Sequence, residues 1–553
     1  MMGPSLILPI LLPLLTATLV LFPASRATGL RLAPWMPLPG LILALAAPAD
    51  LHLDLPGVLL GTHLGLDESG RLFLLFTALV WLLAGWFAHG WLRDDAGKHR
   101  FWAFFLVAQA GNLGVCLAQD AASFYLLFAL MSFSAYGLVV HSGSAEALRA
   151  GRVYLAMAVL GEALLVAGML LAVGAAGSHR LADLAAVPLS GPAAALLIAG
   201  FGIKVGVPLL HMWLPLAHPV APVPASAALS GVMLKAGLLG WLRFLPLGAQ
   251  ALPEAGATLM LAGFIAMFLG VIAGLMQRNL KVLLAYSSVS QMGYLSLGVG
   301  AGLLSPAAWP LLFPALGFYA LHHALAKSAL FLGAGLIRTH GANTLRRAAL
   351  AVPALALAGA PLTSGVLAKD GLKQGLVALP GPWPGLVAGL LPFAALGTAL
   401  LMARLIWLAW RLPAPDNVAA TPRGLHAPWL LAVLASAMLP WVLASDEARI
   451  HAFGFATLAA ATWPLLAAAA LSTAAVFMRL RAPALPPGDL LHPLAHGIER
   501  LRGARPRWWF PETPDGSARM HVAPRTIGEV MTTRRTGALW LALLAAFTLL
   551  LAR

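Results

Sequence analysis

The chain has 553 residues, of which 60% are hydrophobic and only 10% are charged, and its mean hydropathy is +0.86. This composition is typical of a polytopic membrane protein and excludes a chain made of one or two soluble domains. The net charge of +15 does not indicate a nucleic-acid partner, because the basic residues lie in the loops between apolar runs.

The sequence contains none of the common motifs for binding a cofactor or a metal. The single cysteine, Cys116, lies inside an apolar run, so it supplies neither a disulfide nor a metal cluster. There is no phosphate loop, no Rossmann glycine fingerprint, no Cys-x-x-Cys pair and no HExxH motif. We therefore expect no cofactor, no metal and no redox site of its own, and the sequence leaves open whether the chain serves a larger enzyme complex.

Crossing about 30 Å of hydrocarbon takes about 20 apolar residues. The candidate spans are 4–22, 30–48, 71–92, 101–119, 121–141, 152–175, 191–210, 222–244, 254–275, 279–299, 309–337, 348–375, 384–410, 427–444, 453–478 and 535–552. We expect an all-α fold with about 14–16 transmembrane helices. The run 4–22 is interpreted as the first of these helices and not as a signal peptide, since no Lys or Arg precedes it and further spans follow.

The loop charges predict the orientation of the chain. Loops rich in Lys and Arg alternate with loops that are poor in them, in the order expected if the N-terminus lies outside. The predicted inner loops hold Arg26, Arg31, Arg93, Lys98, Arg100, Arg149, Arg152, Arg278, Lys281, Arg338, Arg346 and Arg347. We expect a multi-pass protein of a bacterial-type cytoplasmic (inner) membrane. The loop 51–70, with Pro56 and Gly61, indicates a short hairpin on the outer side.

The stretch 201–244 predicts two apolar helices joined by a Pro-rich break, with one lysine in each helix. Lys204 and Lys235 lie where a charge costs roughly 2.5–3.5 kcal/mol, so each should face a protein interior or a water-filled path. The prolines that interrupt the helix are Pro208, Pro215, Pro219, Pro222 and Pro224, and two histidines, His211 and His218, flank the break. Such a break survives at membrane depth only inside protein or beside a cavity.

A second break is predicted in AGAPLTSGVLAKDGLK, where Pro361 lies between two glycines and Lys369 and Asp370 follow. Adjacent residues on a helix do not face each other, so these two need not pair, and Asp370 could instead cap a helix or lie at the outer boundary. Broken helices in both halves of a chain indicate an inverted-repeat transporter.

The remaining ionisable residues within spans are Glu162, His322, His323, Lys327 and Arg404. His323 and Lys327 are four residues apart on one helix and share a face, which fits a proton relay, while the alternative for His323 is a core histidine bonded to a carbonyl.

Glu162 is costly unless paired, and Lys204 is the nearest candidate partner in sequence. Ser288 and Gln291 could hold water between lysines, or the serine could bond back to its own helix. The basic segment 479–534 either rests on anionic lipid or docks a partner subunit.

Three strings carry a family resemblance: PLLHMWLPLAHPVAPVPASAALSGVMLKAG, LLAYSSVSQMGYLSLG and HHALAKSALFLGAG. They resemble the antiporter-like membrane subunits of respiratory complex I, Mrp-type sodium/proton antiporters and energy-converting hydrogenases. The residue strings are most similar to those of the hydrogenase-linked branch. The resemblance covers about residues 100–410.

The resemblance implies two inverted five-helix repeats, each with a broken helix, and a central row of groups that passes protons. It implies the organisation 1–100 N-terminal helices, 101–244 first repeat, 254–410 second repeat, 411–478 additional helices, 479–534 basic cytoplasmic segment and 535–553 final helix. By matching motifs, the row contains Lys204, Lys235, His323, Lys327 and Lys369.

The sequence departs from the family pattern at two positions. Ala129 stands where the family usually has a glutamate, and Leu216 stands where an acidic residue follows WLP. Our hypothesis is that Glu162 replaces the missing carboxylate.

The leading functional hypothesis is a proton-translocating subunit of a multisubunit complex that passes protons along Glu162 and the lysine row. The expected partners are other membrane subunits, a soluble catalytic partner on the cytoplasmic side, lipid, protons and, as a further candidate ion, Na⁺, with no nucleic acid. Two alternatives stay open: a subunit that energises inorganic-carbon uptake, and a non-conducting membrane anchor.

Overall fold

The computed structural model describes residues 3–48, 51–412, 423–480 and 485–487. Within these residues the protein is almost entirely helical, with a single two-stranded sheet. Twelve helices of this part are long and apolar enough to cross a membrane. The predicted all-α polytopic membrane fold is therefore confirmed, while the predicted span 535–552 and most of the basic segment 479–534 lie outside the described residues.

The N-terminal part contains seven helices and the sheet. These elements are α1 (Leu8–Leu21), α2 (Arg26–Leu32), α3 (Leu38–Ala46), β1 (His52–Leu55), β2 (Thr62–Gly65), α4 (Glu68–Trp91), α5 (Lys98–Leu117), α6 (Ala121–Val139) and α7 (Ala145–Ala176), with 3₁₀ turns at Gly3–Ile7 and Ala33–Trp35. Asp67 and Asp120 cap α4 and α6, since their carboxylates accept from the N–H of Gly70 and Ser123. Strands β1 and β2 pair antiparallel, which confirms the predicted hairpin.

The first broken helix follows. The elements are α8 (Leu181–Ala185), α9 (Gly191–Val205), α10 (Trp213–Val220), α11 (Val223–Ala228), a π-helical turn Leu229–Met233 and α12 (Leu234–Phe244). Helix α9 ends at Gly206, whose φ of +87° stops the helix in the left-handed region, and Leu209 is also at positive φ, +70°. Pro208 supplies no N–H within this break, so the predicted interruption is confirmed there. Pro215 and Pro219, also predicted to interrupt the helix, instead lie inside α10, near its first and last turns.

The rest of the described chain is helical. Its elements are α13 (Pro253–Leu275), α14 (Leu280–Leu304), a 3₁₀ turn Pro306–Ala308, α15 (Trp309–His340), α16 (Thr344–Ala358), α17 (Ser364–Val377), α18 (Trp383–Arg411), α19 (Arg423–Leu443), α20 (Asp446–Ala452) and α21 (Phe455–Phe477). The second break lies between α16 and α17, where Gly359 has φ +83° and Leu362 has φ +63°. A Cβ on Gly365 would lie 1.8 Å from Ala356 O, so only glycine fits where α17 approaches the end of α16.

Helices α12, α14 and α15 form the centre of the molecule. From Leu280 to Leu303 every residue of α14 is buried, and the most apolar window of α15 is buried throughout. At the other extreme, only 11% of the corresponding window of α21 is buried, as expected for a helix that faces lipid. The buried polar side chains of the centre therefore lie in protein and not against hydrocarbon.

Candidate functional site

Lys204, in the last turn of α9, lies in an aromatic cage beside a small cavity. Its Nζ donates to Tyr154 Oη at 3.3 Å, and the distances from Nζ to the ring centroids of Tyr154, Phe128 and Trp213 are 5.6, 5.7 and 5.9 Å. Aromatic faces attract a cation, and the C-terminal end of a helix does so as well. This environment accommodates a charged amine before the break of the helix.

Glu162 lines the same cavity, whose volume is about 20 Å³. Glu162 is buried, and its Oε2 atom has no hydrogen-bond partner among the described residues. It forms no direct ion pair with Lys204 in this part of the chain. A cavity of this size, lined by a carboxyl and an amine, is large enough for one water. Ala129 is buried but does not line the cavity, whereas Phe128 beside it does.

Four hydrogen bonds among five residues lie between Lys235 and Lys327 at the centre of the molecule, and we call this set the hydroxyl bridge. Lys235 Nζ donates to Ser230 O at 2.7 Å, and Ser230 Oγ lies 2.7 Å from Ser288 Oγ. Ser288 Oγ donates to Leu284 O at 3.1 Å, and Lys327 Nζ donates to the same oxygen at 2.8 Å. All five residues are fully buried. The two carbonyls hold the amines in place, and the paired hydroxyls fill the space between them.

The π-helical turn explains one end of this bridge. Ser230 lies within Leu229–Met233, where the wider helical turn leaves backbone groups free to accept side-chain donors. Ser288 belongs to α14 and bonds back to its own helix, as the second sequence-based alternative predicts, and it also contacts the hydroxyl of Ser230. A water held between the lysines stays a prediction.

The two histidines of α15 have different surroundings. His323 is fully buried, and neither of its ring nitrogens has a hydrogen-bond partner among the described residues. It therefore does not bond directly to Lys327, although both lie on the same helix. His322 points to another neighbour, because its Nδ1 lies 2.9 Å from Ser364 Oγ at the start of α17.

Lys369 and Asp370 point in different directions. Lys369 Nζ donates to Ala358 O at 2.9 Å, the last carbonyl of α16, and lies 5.8 Å from the ring centroid of Tyr294. Asp370 instead pairs with His451, with Oδ2 and Nδ1 2.7 Å apart. Lys204 lies at the C-terminal end of α9, and the amine of Lys369, from α17, lies at the C-terminal end of α16. At both ends the partial negative charge of the half-helix favours a cation.

Gln291 links three helices. Its Oε1 accepts from Tyr319 Oη at 2.7 Å, and its Nε2 donates to Thr398 Oγ1 at 3.2 Å. Tyr319 also stacks on Tyr294, with ring centroids 5.6 Å apart. This polar cluster joins α14, α15 and α18. It adjoins Lys369 through Tyr294, the ring that lies near the lysine amine.

The other three candidates lie at the edges of this arrangement. His211 is fully buried in the first break, with its ring centroid 6.5 Å from that of Tyr286. His218 is fully buried and stacks on Phe331 at 4.5 Å between centroids. Arg404 donates to Gln277 O at 3.1 Å, at the turn between α13 and α14, and makes no described contact with the buried lysines.

Sequence reasoning missed Lys281. The loop pattern places it among the basic residues of a predicted inner loop, yet its side chain is buried and its Nζ donates to Ala221 O at the end of α10. Lys281 lies at the edge of an apolar run, one position after the start of α14. A lysine at such a position is usually interpreted as solvated. The apolar sequence that follows immediately was the only available signal of burial.

Arg243 was also missed, in the last turn of α12. Its guanidinium donates to the carbonyls of Val115, Cys116 and Ala118 and to Asp67 Oδ1. Partial burial raises the pKa of Asp67, but the Arg243 charge and the hydrogen bonds at the helix cap outweigh it and hold that pKa below its ordinary value of 3.8. This arginine ties the ends of α4, α5 and α12 together.

The chain is similar to several known proteins. A family model described as "NADH:quinone oxidoreductase/Mrp antiporter, TM" matches residues 118–391, which include both broken helices. Hydrogenase-4 component B of Escherichia coli (strain K12) is 34% identical over 52% of this chain and 45% of its own length. NADH-quinone oxidoreductase subunit N of Desulforudis audaxviator (strain MP104C) is 30% identical over 66% of this chain and 76% of its own length.

A solved structure shows the same fold. A chain in the structure of the Mrp complex from Dietzia sp. DQ12-45-1b superposes with a TM-score of 0.73 at 21% sequence identity. The match covers 91% of this chain and 60% of that chain. The chain therefore spans about half of component B and under two thirds of the Mrp chain.

Proposed function

The chain belongs to the NADH:quinone oxidoreductase/Mrp antiporter transmembrane family, and from this premise we propose that it is the proton-translocating membrane subunit of a multisubunit complex. The motif resemblance found in the sequence is confirmed by the same comparisons. The hydroxyl bridge is the observation that carries the proposal, because it places two buried amines on either side of one pair of hydrogen-bonded hydroxyls.

Burying a lysine amine in the membrane costs free energy, so a buried lysine without a function is not expected. A charge deep in the membrane costs roughly 2.5–3.5 kcal/mol on insertion scales, so intramembrane lysines indicate a functional path. The proposed route runs through Glu162, Lys204, Lys235, Lys327 and Lys369, with His323 as a further carrier on α15. Each of these side chains is buried or half-buried in protein.

The route is not one continuous hydrogen-bonded series. Among the described residues, no hydrogen bond joins Lys204 to Lys235, although α9 and α12 pack closely: a Cβ on Gly237 would lie 3.1 Å from Lys204 Cβ. A proton crosses this gap through internal water in our proposal. The cavity between Glu162 and Lys204 supplies such a position at the start of the route.

Widening and narrowing of the gap between Glu162 and Lys204, which line one cavity, is the proposed control point. A water between the two lets the Lys204 ammonium give a proton to the Glu162 carboxylate, and lets the carboxylic acid return it to the amine. Separation of the helices that carry them stops the exchange. A partner subunit that shifts α7 against α9 would thereby drive charge across the membrane. Moving one elementary charge across the membrane involves about 2.3 kcal/mol for each 100 mV of membrane potential.

The partners are proposed from the same relatives. Several of them are subunits by name, and we propose that other membrane subunits contact this chain and that a soluble catalytic partner binds on the cytoplasmic side. An N-terminus outside, an inner-membrane location, the two inverted repeats at 101–244 and 254–410, and Na⁺ as a second ion remain predictions.

The test is proton movement in proteoliposomes that contain the chain with its co-purifying subunits. Lys327→Ala is expected to abolish uptake driven by an imposed potential while the complex still assembles. Lys373→Ala is the matched control, because Lys373 is an exposed lysine of α17. Normal uptake by Lys327→Ala would remove this residue from the route, and absence of uptake by the wild-type complex would favour a non-conducting anchor.

A further inference from the structure

A second, larger cavity lies where α4 and α15 end and where α11 and α14 begin. Its volume is about 230 Å³, enough for several waters. The polar and charged residues of its walls are Asn279, Lys281, Arg338 and Thr339, and none of the described residues that line it carries a carboxyl. The loop charges place these helix ends on the predicted cytoplasmic side. The proposed proton route does not include this cavity.

Two basic side chains face this cavity without a neutralising acid. Lys281 and Arg338 both line it, and they are close enough for their charges to repel each other. An ammonium has three N–H donors, and in the described part of the chain Lys281 uses one of them, toward Ala221 O. No hydrogen bond or ion pair joins the Arg338 guanidinium to another described residue. An anion between the two cations would relieve their repulsion and accept from their remaining donors.

The amino end of α14 adds to the positive potential of the cavity. The side-chain oxygen of Asn279 caps this helix by accepting from the Lys281 N–H at 2.9 Å, and the first turn contains no acidic residue. The partial positive charge at the start of a helix favours an anion. The negative end of α15 lies on the same wall, but Arg338 is in its last turn and offsets it. The cavity is therefore electropositive on balance.

The position of Trp91 indicates that the cavity lies at the level of the lipid headgroups. Trp91 is the last residue of α4 and lines the cavity, and its half-buried ring stacks on Phe87 with centroids 5.5 Å apart. Tryptophan is enriched where the hydrocarbon of a membrane meets water. Arg338 and Thr339 are exposed, so the cavity opens to the surface of the chain. Basic pockets between transmembrane helices on the cytoplasmic side bind anionic headgroups.

We propose that this cavity binds the phosphate of an anionic phospholipid, with Arg338 and Lys281 donating to the phosphate oxygens. The guanidinium offers two parallel N–H groups to one phosphate, and the ammonium adds a second charge from the opposite helix. The acyl chains of the lipid stay in the bilayer beside the ends of α4 and α15. This inference goes beyond the proposed function, since lipid binding at this cavity does not require proton translocation.

Counting bound lipids tests the site. The complex, purified in mild detergent with its co-purifying subunits, is titrated with phosphatidylglycerol, and the lipids that stay bound are counted by native mass spectrometry. Phosphatidylcholine, whose headgroup has no net charge, is the reference lipid. The variant is Arg338→Gln, and the matched control is Arg347→Gln, because Arg347 is an exposed arginine of α16 that does not line the cavity.

We expect Arg338→Gln to weaken the tightest phosphatidylglycerol site by about fivefold, the effect of one basic side chain near anionic lipid. Arg347→Gln should leave that affinity unchanged, and neither variant should change the binding of phosphatidylcholine. Equal affinity for phosphatidylglycerol in the wild type and in Arg338→Gln would overturn the site, as would an equal loss in both arginine variants.

A larger side chain on the cavity wall gives a second test that leaves both charges in place. Thr339→Phe narrows the cavity from an exposed position and is expected to release the tightly bound phosphatidylglycerol, while Ala348→Phe, at an exposed position of α16 outside the lining, should retain it. Wild-type binding by Thr339→Phe would show that the headgroup lies elsewhere and would overturn the proposed site.

Inorganic phosphate separates a lipid from a soluble anion. Free phosphate lacks acyl chains, so an amount equal to that of the lipid should leave the bound phosphatidylglycerol in place. Displacement of the lipid by equimolar inorganic phosphate would overturn the lipid assignment in favour of a soluble phosphoryl ligand. These lipid counts do not depend on proton uptake, so a complex that binds the lipid but moves no protons would contradict the proposed function alone.

Discussion

Removing Ser288 Oγ should interrupt the hydroxyl bridge at its centre. In Ser288→Ala, Ser230 Oγ loses the acceptor that lies 2.7 Å away, and a buried donor left unsatisfied costs about 1–3 kcal/mol. Ser230→Ala should cost less, about 0.5–1.5 kcal/mol, because Ser288 Oγ still donates to Leu284 O. The sequence change is the same at both positions, so the asymmetry comes from the direction of the hydrogen bonds.

The double variant gives the coupling between the two hydroxyls. Both single variants remove the same hydrogen bond. The sum of their losses in free energy of unfolding should therefore exceed the loss in Ser230→Ala/Ser288→Ala. Side-chain hydrogen bonds between membrane helices couple by about 0.6 kcal/mol on average and about 1.7 kcal/mol at most. We expect a value in that range, and we expect the double variant to move protons no more slowly than the slower single variant.

Two assays report these effects. Unfolding of the purified chain in denaturing detergent is followed by the reactivity of the single cysteine, Cys116, which is buried in the fold. Proton uptake is measured in proteoliposomes. Ser290→Ala is the matched control, since Ser290 is buried on the same helix and its hydroxyl has no partner in the described residues. The reasoning is refuted if Ser288→Ala and Ser290→Ala give the same stability and the same uptake.

Three further variants test other parts of the account. Glu162→Gln should lower proton uptake on the order of 10²-fold, as expected for loss of a proton-transfer group, while Glu146→Gln, at an exposed position of α7, should leave it unchanged in the same assay. Gly365→Ala should destabilise the second break by at least about 1–3 kcal/mol in detergent unfolding, since its Cβ would overlap a carbonyl. Gly371→Ala should have little effect there, because its Cβ would have one ordinary contact at 3.8 Å. Asp67→Asn should lower the unfolding midpoint at pH 7. The difference should shrink as the pH falls below 3.8 and vanish below the lowered pKa of the folded carboxyl, because this group stabilises the fold only while it is ionised.

Local chemistry made the broken helices predictable from sequence. Pro208 and Pro361 remove backbone donors, and the glycines at 206 and 359 adopt the left-handed conformation that ends a helix. The buried lysines were predictable for a similar reason, since a charge in the middle of an apolar run has few tolerated environments. These signals act within a few residues and need no knowledge of the packing.

The contacts between distant helices could not be predicted in the same way. Ser230 and Ser288 are 58 residues apart, and their pairing depends on the rotation of α12 against α14. The pairing of Asp370 with His451 depends likewise on how α20 lies against α17. A helical pattern gives the face on which a residue lies but not the neighbour that it meets.

The ends of apolar runs were a second source of error. Lys281 and Arg243 both lie within a turn or so of a helix end, where long cationic side chains usually reach water. In the structure each is folded back onto carbonyls of another element. Burial at these positions follows from the tertiary packing, which the sequence pattern does not contain.

The central claim is that the amines at the two ends of the hydroxyl bridge carry protons. Its most direct test is the rate of proton uptake by proteoliposomes containing Lys235→Met, a change that keeps side-chain length and removes the titratable group. With the partner subunits still bound, the account predicts uptake no faster than in protein-free liposomes. Uptake at the wild-type rate by this assembled variant would contradict it.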